Sequence, residues 1–302
     1  MSADRPLVSV VVPTRDRPRF LARCLDALAA QRPPGGPFEV VVVDDRSRDP
    51  VEPALAAVGD RLDVRTVRGD GAGPAAARNA GAAAARGALL AFTDDDCAPR
   101  PGWLAALARA AALRPGAGAG GPAVNVLEEH LCSTASQMLI DHLCERFNEP
   151  LGPGRFFTTS SLALPAAAFH EIGGFVAGFG PPGGEDRELC DRWLRSGRPI
   201  VWAPDAVVDH AHPLNLAGFW HQHARYGRGA RLFHRARLED GAGRPPVLPP
   251  SFYAGLLARP FRTRARRPVR LAALLALSQV ANAAGFFRAP GGPPRPPAGA
   301  GG

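Results

Sequence analysis

Over the first 125 residues, short apolar runs rich in β-branched residues alternate with alanine-rich segments of helical spacing. Leu7 to Val12, Phe38 to Val43 and Leu89 to Thr93 read as buried strands, and Leu62 to Val67 as a more polar one. Arg19 to Ala30 sets Phe20, Leu21, Leu25 and Leu28 on one helical face, and Ala75 to Arg86 and Trp103 to Leu113 are two further helices. Nearly continuous apolar strands separated by helices predict an α/β fold with a parallel sheet covered on both faces.

Beyond residue 125 the pattern changes. Phe156 to Leu164 predicts a strand, Pro165 to Glu171 a short helix opening on proline, and 173–184 a flexible glycine and proline loop. Glu185 to Ser196 has helical spacing, with Gly197 in a capping position. Pro199 to Ala203 and Ala206 to Val208 are short strands, and Leu214 to Ala236 is a helix rich in aromatic residues, histidine and arginine. No internal repeat of fixed period is present.

The 302 residues are enough for one large or two modest domains. A net charge of +8 suggests an anionic partner, but every basic side chain is arginine and most of them are spread along the chain. With 34 glycines and 32 prolines this reads as a coding bias, and no nucleic-acid partner is expected. Five cysteines lie far apart without a C-x-x-C pair, which predicts reduced thiols in a cytoplasmic protein. Met1 to Pro6 is polar and leads straight into a strand, so no secretory signal is expected.

In open α/β sheets, ligands bind beyond the carboxyl ends of the strands. Here those ends carry Pro13-Thr14-Arg15-Asp16, Asp44-Asp45-Arg46-Ser47 and Asp94-Asp95-Asp96. Three consecutive carboxylates repel one another unless a cation or water screens them. A hard divalent cation such as Mg²⁺ or Mn²⁺ takes such oxygens and shares them with phosphate. A solvated acidic turn or a helix N-cap fits the same three residues. There is no G-x-G-x-x-G after the first strand and no G-x-x-x-x-G-K-[ST], which argues against a dinucleotide site and a P-loop.

The segments VSVVVPTRDRP, VVVVDDRSRD, GPAAARNAGAAAARG, LLAFTDDDC and GGFVAGFGPPGGEDRELCDRWLRSG, in that order, resemble family 2 glycosyltransferases over residues 7–210. The resemblance implies a GT-A fold: a Rossmann-like open mixed sheet flanked by helices, here with a helical C-terminal extension. It implies inverting transfer of a sugar from a UDP-, GDP- or dTDP-sugar to a hydroxyl acceptor; a saccharide or lipid-linked acceptor, in polysaccharide, glycolipid or cell-envelope biosynthesis, is an expectation that rests on the C-terminal tail alone. By the same resemblance Pro13, Thr14 and Arg15 line the nucleotide pocket, Asp44 accepts from the base, and Asp45 lies near the ribose. Arg78 and Asn79 lie near the nucleotide or sugar. Asp94 and Asp96 frame the D-x-D signature, with Asp96 on the metal, Asp94 towards ribose, sugar or metal, and Asp95 donor-facing or solvated. Asp186 matches the catalytic base position and Glu185 is the adjacent candidate; an acidic first helical turn is the bland reading of the pair. His210 matches a metal or phosphate contact. His212, His221, His223 and His234 are expected at the surface or an interface.

Processive relatives carry Q-x-x-R-W, whereas Gln222-His223-Ala224-Arg225-Tyr226 places tyrosine at the tryptophan position, which predicts single transfers. A nucleotidyltransferase of similar fold would need a glycine-rich loop that PTRDRP lacks, and a non-catalytic binding protein would not need the full acidic set. The expected organisation is a catalytic domain over 1–236, with nucleotide-sugar and acceptor halves at about 1–125 and 126–236. A helical extension over 237–288 and a disordered tail over 289–302 follow. The extension holds six arginines between Arg259 and Arg270, then an apolar stretch to Phe287 broken by Ser278, Gln279 and Asn282. That pattern suits an interfacial anchor on an anionic membrane surface over 259–288, and hence a peripheral protein on the inner face of the plasma membrane. A helix that packs on the catalytic domain, or dimerises, fits it equally.

Overall fold

The computed structural model describes residues 7–31, 35–149, 154–179 and 183–289. Strand β1 (Val8–Thr14) leads to α1 (Pro18–Ala29), β2 (Phe38–Asp44), α2 (Glu52–Val58), β3 (Val64–Arg68), α3 (Pro74–Ala84) and β4 (Leu89–Phe92). Then come β5 (Cys97–Pro99), α4 (Trp103–Ala111), β6 (Gly118–Gly120), β7 (Ala123–Asn125) and α5 (Leu131–Phe147). They are followed by β8 (Leu162–Pro165), α6 (Ala166–Glu171), α7 (Glu185–Arg195), β9 (Ile200–Trp202) and β10 (Val208–His210). Three helices close the described chain: α8 (Leu216–Glu239), α9 (Pro250–Arg262) and α10 (Pro268–Arg288).

The main sheet has the order β3-β2-β1-β4-β8-β6-β9. Strands β1 to β4 are mutually parallel, with Val10 opposite both Val40 and Ala91, while β8 runs antiparallel to β4 and β6. The sheet is therefore mixed. Because side chains alternate across a strand, each valine-rich strand feeds two cores. Val8, Val10, Val12, Val40 and Val42 pack with Leu21, Leu25, Trp103 and Leu107 on one face. Val11, Val41, Val43 and Phe92 pack with Phe169, Phe175, Leu189 and Trp193 on the other. Helix α3 sits so close to the sheet that a Cβ on Gly81 would fall 2.4 Å from Val11 Cγ1.

A small second sheet, β5-β10-β7, follows directly on the acidic run. Its antiparallel register sets His210 opposite Cys97, the residue after the acidic run, and its parallel register sets His210 opposite Asn125.

Helix α5 has no counterpart in the sequence expectation. Its inward positions are Ser133, Ala135, Ser136 and Leu139, so the stripe it buries is mostly small or polar and carries little apolar periodicity. Helix α8 runs through positions 236 and 237, so no break in the chain marks the expected edge of the extension there. Helix α10 lies against α8 at a crossing of glycines: a Cβ on Gly227 would come within 1.8 Å of Asn282 O, and one on Gly285 within 1.8 Å of Ala224 O. The tail expected at 289–302 lies outside the described residues from 290 onward, as do 180–182 of the expected flexible loop.

Candidate active site

The carboxyl ends of β1, β2 and β4 meet beside β10, as parallel strands in one sheet must deliver them. They border a cleft of about 740 Å³ lined by Pro13, Thr14, Arg15, Asp45, Gly71, Gly73, Arg78, Asp94, Asp95, Asp96, His210 and Arg225, among others. Asp45 is fixed by backbone donors: Gly71 N–H and Gly73 N–H reach its two oxygens at 2.9 and 3.1 Å. Asp44, expected to face the base, does not line this cleft. Its carboxylate accepts from Ser47 N–H at 2.8 Å and pairs with Arg68. Asn79 does not line it either; it donates to Phe175 O at 2.8 Å and accepts from Phe175 N–H at 2.9 Å, tying α3 to the chain before α7.

The three aspartates have three environments. Asp94 is partly exposed and accepts from Arg78 at 2.6 Å. Asp95 is buried between Thr14 Oγ1, at 2.8 Å, and the Arg17 guanidinium, at 3.2 Å. Burial pushes its pKa up to about 6, Arg17 opposing and the Asp96 charge adding to the rise. Asp96 lies 3.4 Å from His210 Nε2 and 3.1 Å from His212 Nδ1. Burial alone would raise it, but the two imidazoles outweigh burial and hold its carboxyl well below the usual range.

The ligand atoms of Asp96, His210 and His212 all lie within 4.8 Å of one another. One carboxylate and two imidazoles on three fixed positions fit a divalent first-row metal. Asp94, Asp96 and Cys97 form a second such group, but burial pushes the Cys97 thiol well up, which keeps it protonated and a poor ligand.

His212 was expected at a surface or interface and instead completes this cluster. The i, i+2 spacing of His210 and His212 at a strand end put both rings on one side, and they stack at 5.5 Å. The other His212 nitrogen lies 2.9 Å from Gln222 Oε1, and Gln222 donates to Ser136 Oγ and Tyr226 Oη at 2.9 Å each. The segment that departs from Q-x-x-R-W therefore supports the cluster. Arg225 from the same turn of α8 lines the cleft and keeps a buried Nε with no hydrogen-bond partner among the described residues. His223 is fully buried.

On the far side of Arg78 and Asp94 lies a second cavity of about 450 Å³. Glu185 and Asp186, at the start of α7, both line it, together with Leu139, Phe156, Val247, Tyr253 and Phe286. Both Glu185 oxygens are engaged: Oε2 accepts from Gly183 N–H at 2.7 Å and Oε1 from Arg78 at 3.4 Å. Asp186 is half-buried and, among the described residues, accepts only from Arg187 N–H, at 2.7 Å. Burial, then the neighbouring Glu185 charge, push its pKa up to about 7. Arg78, Asp94, His210, His212, Gln222 and Tyr226 line both cavities, so the two chambers share one wall.

Comparison with known proteins agrees with this architecture. The chain is 31% identical over 256 residues to validoxylamine A glucosyltransferase of Streptomyces hygroscopicus subsp. limoneus, covering 70% of this chain and 54% of that protein. It is 30% identical over 228 residues to the pre-mycofactocin glycosyltransferase of Mycobacterium tuberculosis, covering 74% of this chain and 46% of that one. The chain thus spans about half the length of these curated relatives. Among solved structures, a Pyrobaculum calidifontis mannosyltransferase in complex with GDP-Man and Mn²⁺ aligns with a TM-score of 0.63 at 20% identity, over 92% of this chain and 87% of that one. TarS 1–349 of S. aureus in complex with UDP-GlcNAc aligns at 0.59 and 16% identity, over 92% and 89%. Residues 9–169 match the family described as Glycosyl transferase family 2, more than half of the chain. The chain belongs to that family and has the GT-A fold of these structures.

Proposed function

We propose that this enzyme transfers a sugar from a nucleoside diphosphate sugar to a hydroxyl acceptor by a single inverting displacement. The observation that carries the reading is the shared wall: a cleft edged by backbone-fixed Asp45 and four arginines meets a second chamber holding one weakly engaged carboxylate of raised pKa. The nucleotide lies over the ends of β1 and β2 against Pro13, Thr14, Arg15 and Asp45, with Asp44 and Asn79 holding the surrounding loops. Arg15, Arg17, Arg78 and Arg225 face the same cleft, where a diphosphate would offset their charge. Asp94 and Asp95 complete the donor side.

Asp96, His210 and His212 are the residues that would hold a divalent metal, and their mixed nitrogen and oxygen set suits Mn²⁺ better than Mg²⁺. A metal there would act as a Lewis acid towards the leaving diphosphate. Asp186 takes the proton of the acceptor hydroxyl as its oxygen attacks the anomeric carbon. The bond from that carbon to the phosphate oxygen breaks on the opposite face, and the nucleoside diphosphate leaves with the electron pair. Glu185 acts through Arg78, keeping the guanidinium against Asp94. The tyrosine at the end of the Gln222–Tyr226 segment favours single transfers over processive synthesis.

Calorimetry of the full chain with UDP, GDP and dTDP, each with Mn²⁺ and with EDTA, tests the reading. Metal-dependent binding of one nucleotide is the expected result. Folded protein that binds none of them overturns it.

A further inference from the structure

Charge is unevenly distributed along the chain. Residues 1–240 hold 27 arginines and 28 acidic residues, whereas 241–288 hold eight arginines and no acidic residue. The overall positive charge is thus a property of the C-terminal helices, not of the fold that binds the nucleotide. Arg259 is paired with Glu145 and Arg266 with Glu129, but Arg264, Arg267, Arg270 and Arg288 are exposed and have no carboxylate partner among the described residues. Arg264 and Arg267 also hold left-handed backbone, φ 51° and 59°, in the turn joining α9 to α10. Such conformations are costly for residues with a Cβ and cluster where function requires them.

The same helices expose apolar surface. The inner face of α10, Leu271, Leu275, Ser278, Ala281 and Gly285, is buried. Its outer face carries Val269, Ala273, Ala276, Val280, Ala283 and Phe287 at spacings of four and three, one continuous exposed stripe with Arg270 and Arg288 at its ends. Val269 is 70% exposed and Phe287 77%. On α9, Tyr253, Leu257 and Phe261 form a shorter exposed row. An apolar stripe ended by unpaired arginines would repel a second copy of itself at both ends and complements an anionic, lipid-rich surface. Three members of this region also connect it with the reaction chamber: Val247, 90% exposed, Tyr253, and Phe286 beside Phe287 all line the cavity that holds Asp186.

We propose that α9 and α10 seat the enzyme on an anionic bilayer, with the acceptor chamber opening beside the lipid, so that the acceptor hydroxyl belongs to an amphipathic, lipid-borne molecule. The acceptor half of this statement rests on the assignment of the Asp186 chamber above; the docking half does not.

Sedimentation of the full chain with phosphatidylcholine vesicles, with and without phosphatidylglycerol, is the test. The enzyme should pellet with the anionic vesicles and remain in solution with the neutral ones, and added salt should release it. The R264Q/R267Q/R270Q variant should bind the anionic vesicles about a hundredfold more weakly, and V280S/F287S should bind them less well at equal charge. All these positions are exposed; circular dichroism reports whether each variant is folded, and nucleotide calorimetry without lipid reports independently whether the donor assignment holds. Absence of binding to anionic vesicles, equal binding to neutral ones, an α10-dependent dimer in place of vesicle binding, or displacement of the protein from vesicles by duplex DNA would each overturn the proposal.

Discussion

His212 Nδ1 stands 3.1 Å from Asp96, at the only point in the described chain where a carboxylate receives two histidines. Its ring is held from behind by Gln222, which leaves Nδ1 directed at the carboxylate. A metal ligand oriented by a hydrogen bond on its second nitrogen loses affinity when that support goes, typically by 10–100-fold. Gln222→Ala should therefore weaken Mn²⁺-dependent nucleotide binding by about that factor, and His212→Ala by more. Titration calorimetry at several Mn²⁺ concentrations reads both effects. Unchanged Mn²⁺ dependence in His212→Ala would remove this residue from the site.

Arg78 joins the two chambers mechanically as well as electrostatically. It is buried, its guanidinium spans Asp94 and Glu185, and burial that would lower its pKa is outweighed by those carboxylates. Replacing it with methionine leaves two carboxylates without their cation, and breaking a buried pair in this way costs roughly 3–5 kcal/mol. Arg78→Lys restores charge but not the forked geometry, so it should recover only part of that loss. Urea unfolding of the three proteins checks the order wild type, lysine, methionine. Equal midpoints would show that the bridge contributes nothing to the fold.

His223 provides a separate pH effect that involves no substrate. It is fully buried against Phe219 and Tyr226, neither ring nitrogen has a hydrogen-bond partner among the described residues, and burial lowers its pKa from 6.5 to about 4. Below pH 6.5 the unfolded chain takes up a proton that the folded chain refuses until about pH 4. Stability therefore falls across that window, by up to about 3 kcal/mol from this residue. His223→Leu should show a flatter decline between neutral and acid pH in thermal unfolding. Parallel curves for the two proteins would mean that the folded chain does not exclude the proton.

The β1–β4 half of the fold was legible because its strands bury both faces and its helices bury one: Val10 and Val11 serve opposite cores, and Leu21, Leu25 and Leu28 share a single stripe. The acidic strand ends were legible for the same reason, since polar residues ending apolar runs mark the ligand edge of such a sheet. Helix α5 was not, because it buries Ser133 and Ser136 rather than large apolar residues. Nor was the alignment of His212 with Asp96, 116 residues apart, which depends on three-residue strands too short to announce their pairing. Asp44 and Asp45 are adjacent and chemically identical in sequence, and it is the positions of Ser47, Arg68, Gly71 and Gly73 that separate their surroundings. That α10 packs on the rest of the chain was one of the expected alternatives, and Leu271 and Leu275 carry it, but its crossing with α8 depends on Gly227 and Gly285, whose missing side chains carry no hydrophobic signal.

The assignment of Asp186 as base makes a directional claim about pH. With its pKa raised from 3.8 to about 7, the carboxyl is half protonated near neutrality, and only the ionised form can take a proton from the acceptor. The rate constant kcat/KM should climb about tenfold per pH unit below pH 7 and level off above it. Asp186→Asn should lose roughly 10² to 10⁴ in kcat, and that limb with it, while nucleotide affinity stays unchanged. Glu185→Gln removes the second cause of the rise, so the limb should move to lower pH even though the rate falls as Arg78 loses its partner. These two variants give opposite signatures: one abolishes the titration, the other displaces it. A profile that keeps the wild-type limb in Asp186→Asn would place the base elsewhere in the chamber and leave Asp186 as a charge at the first turn of α7.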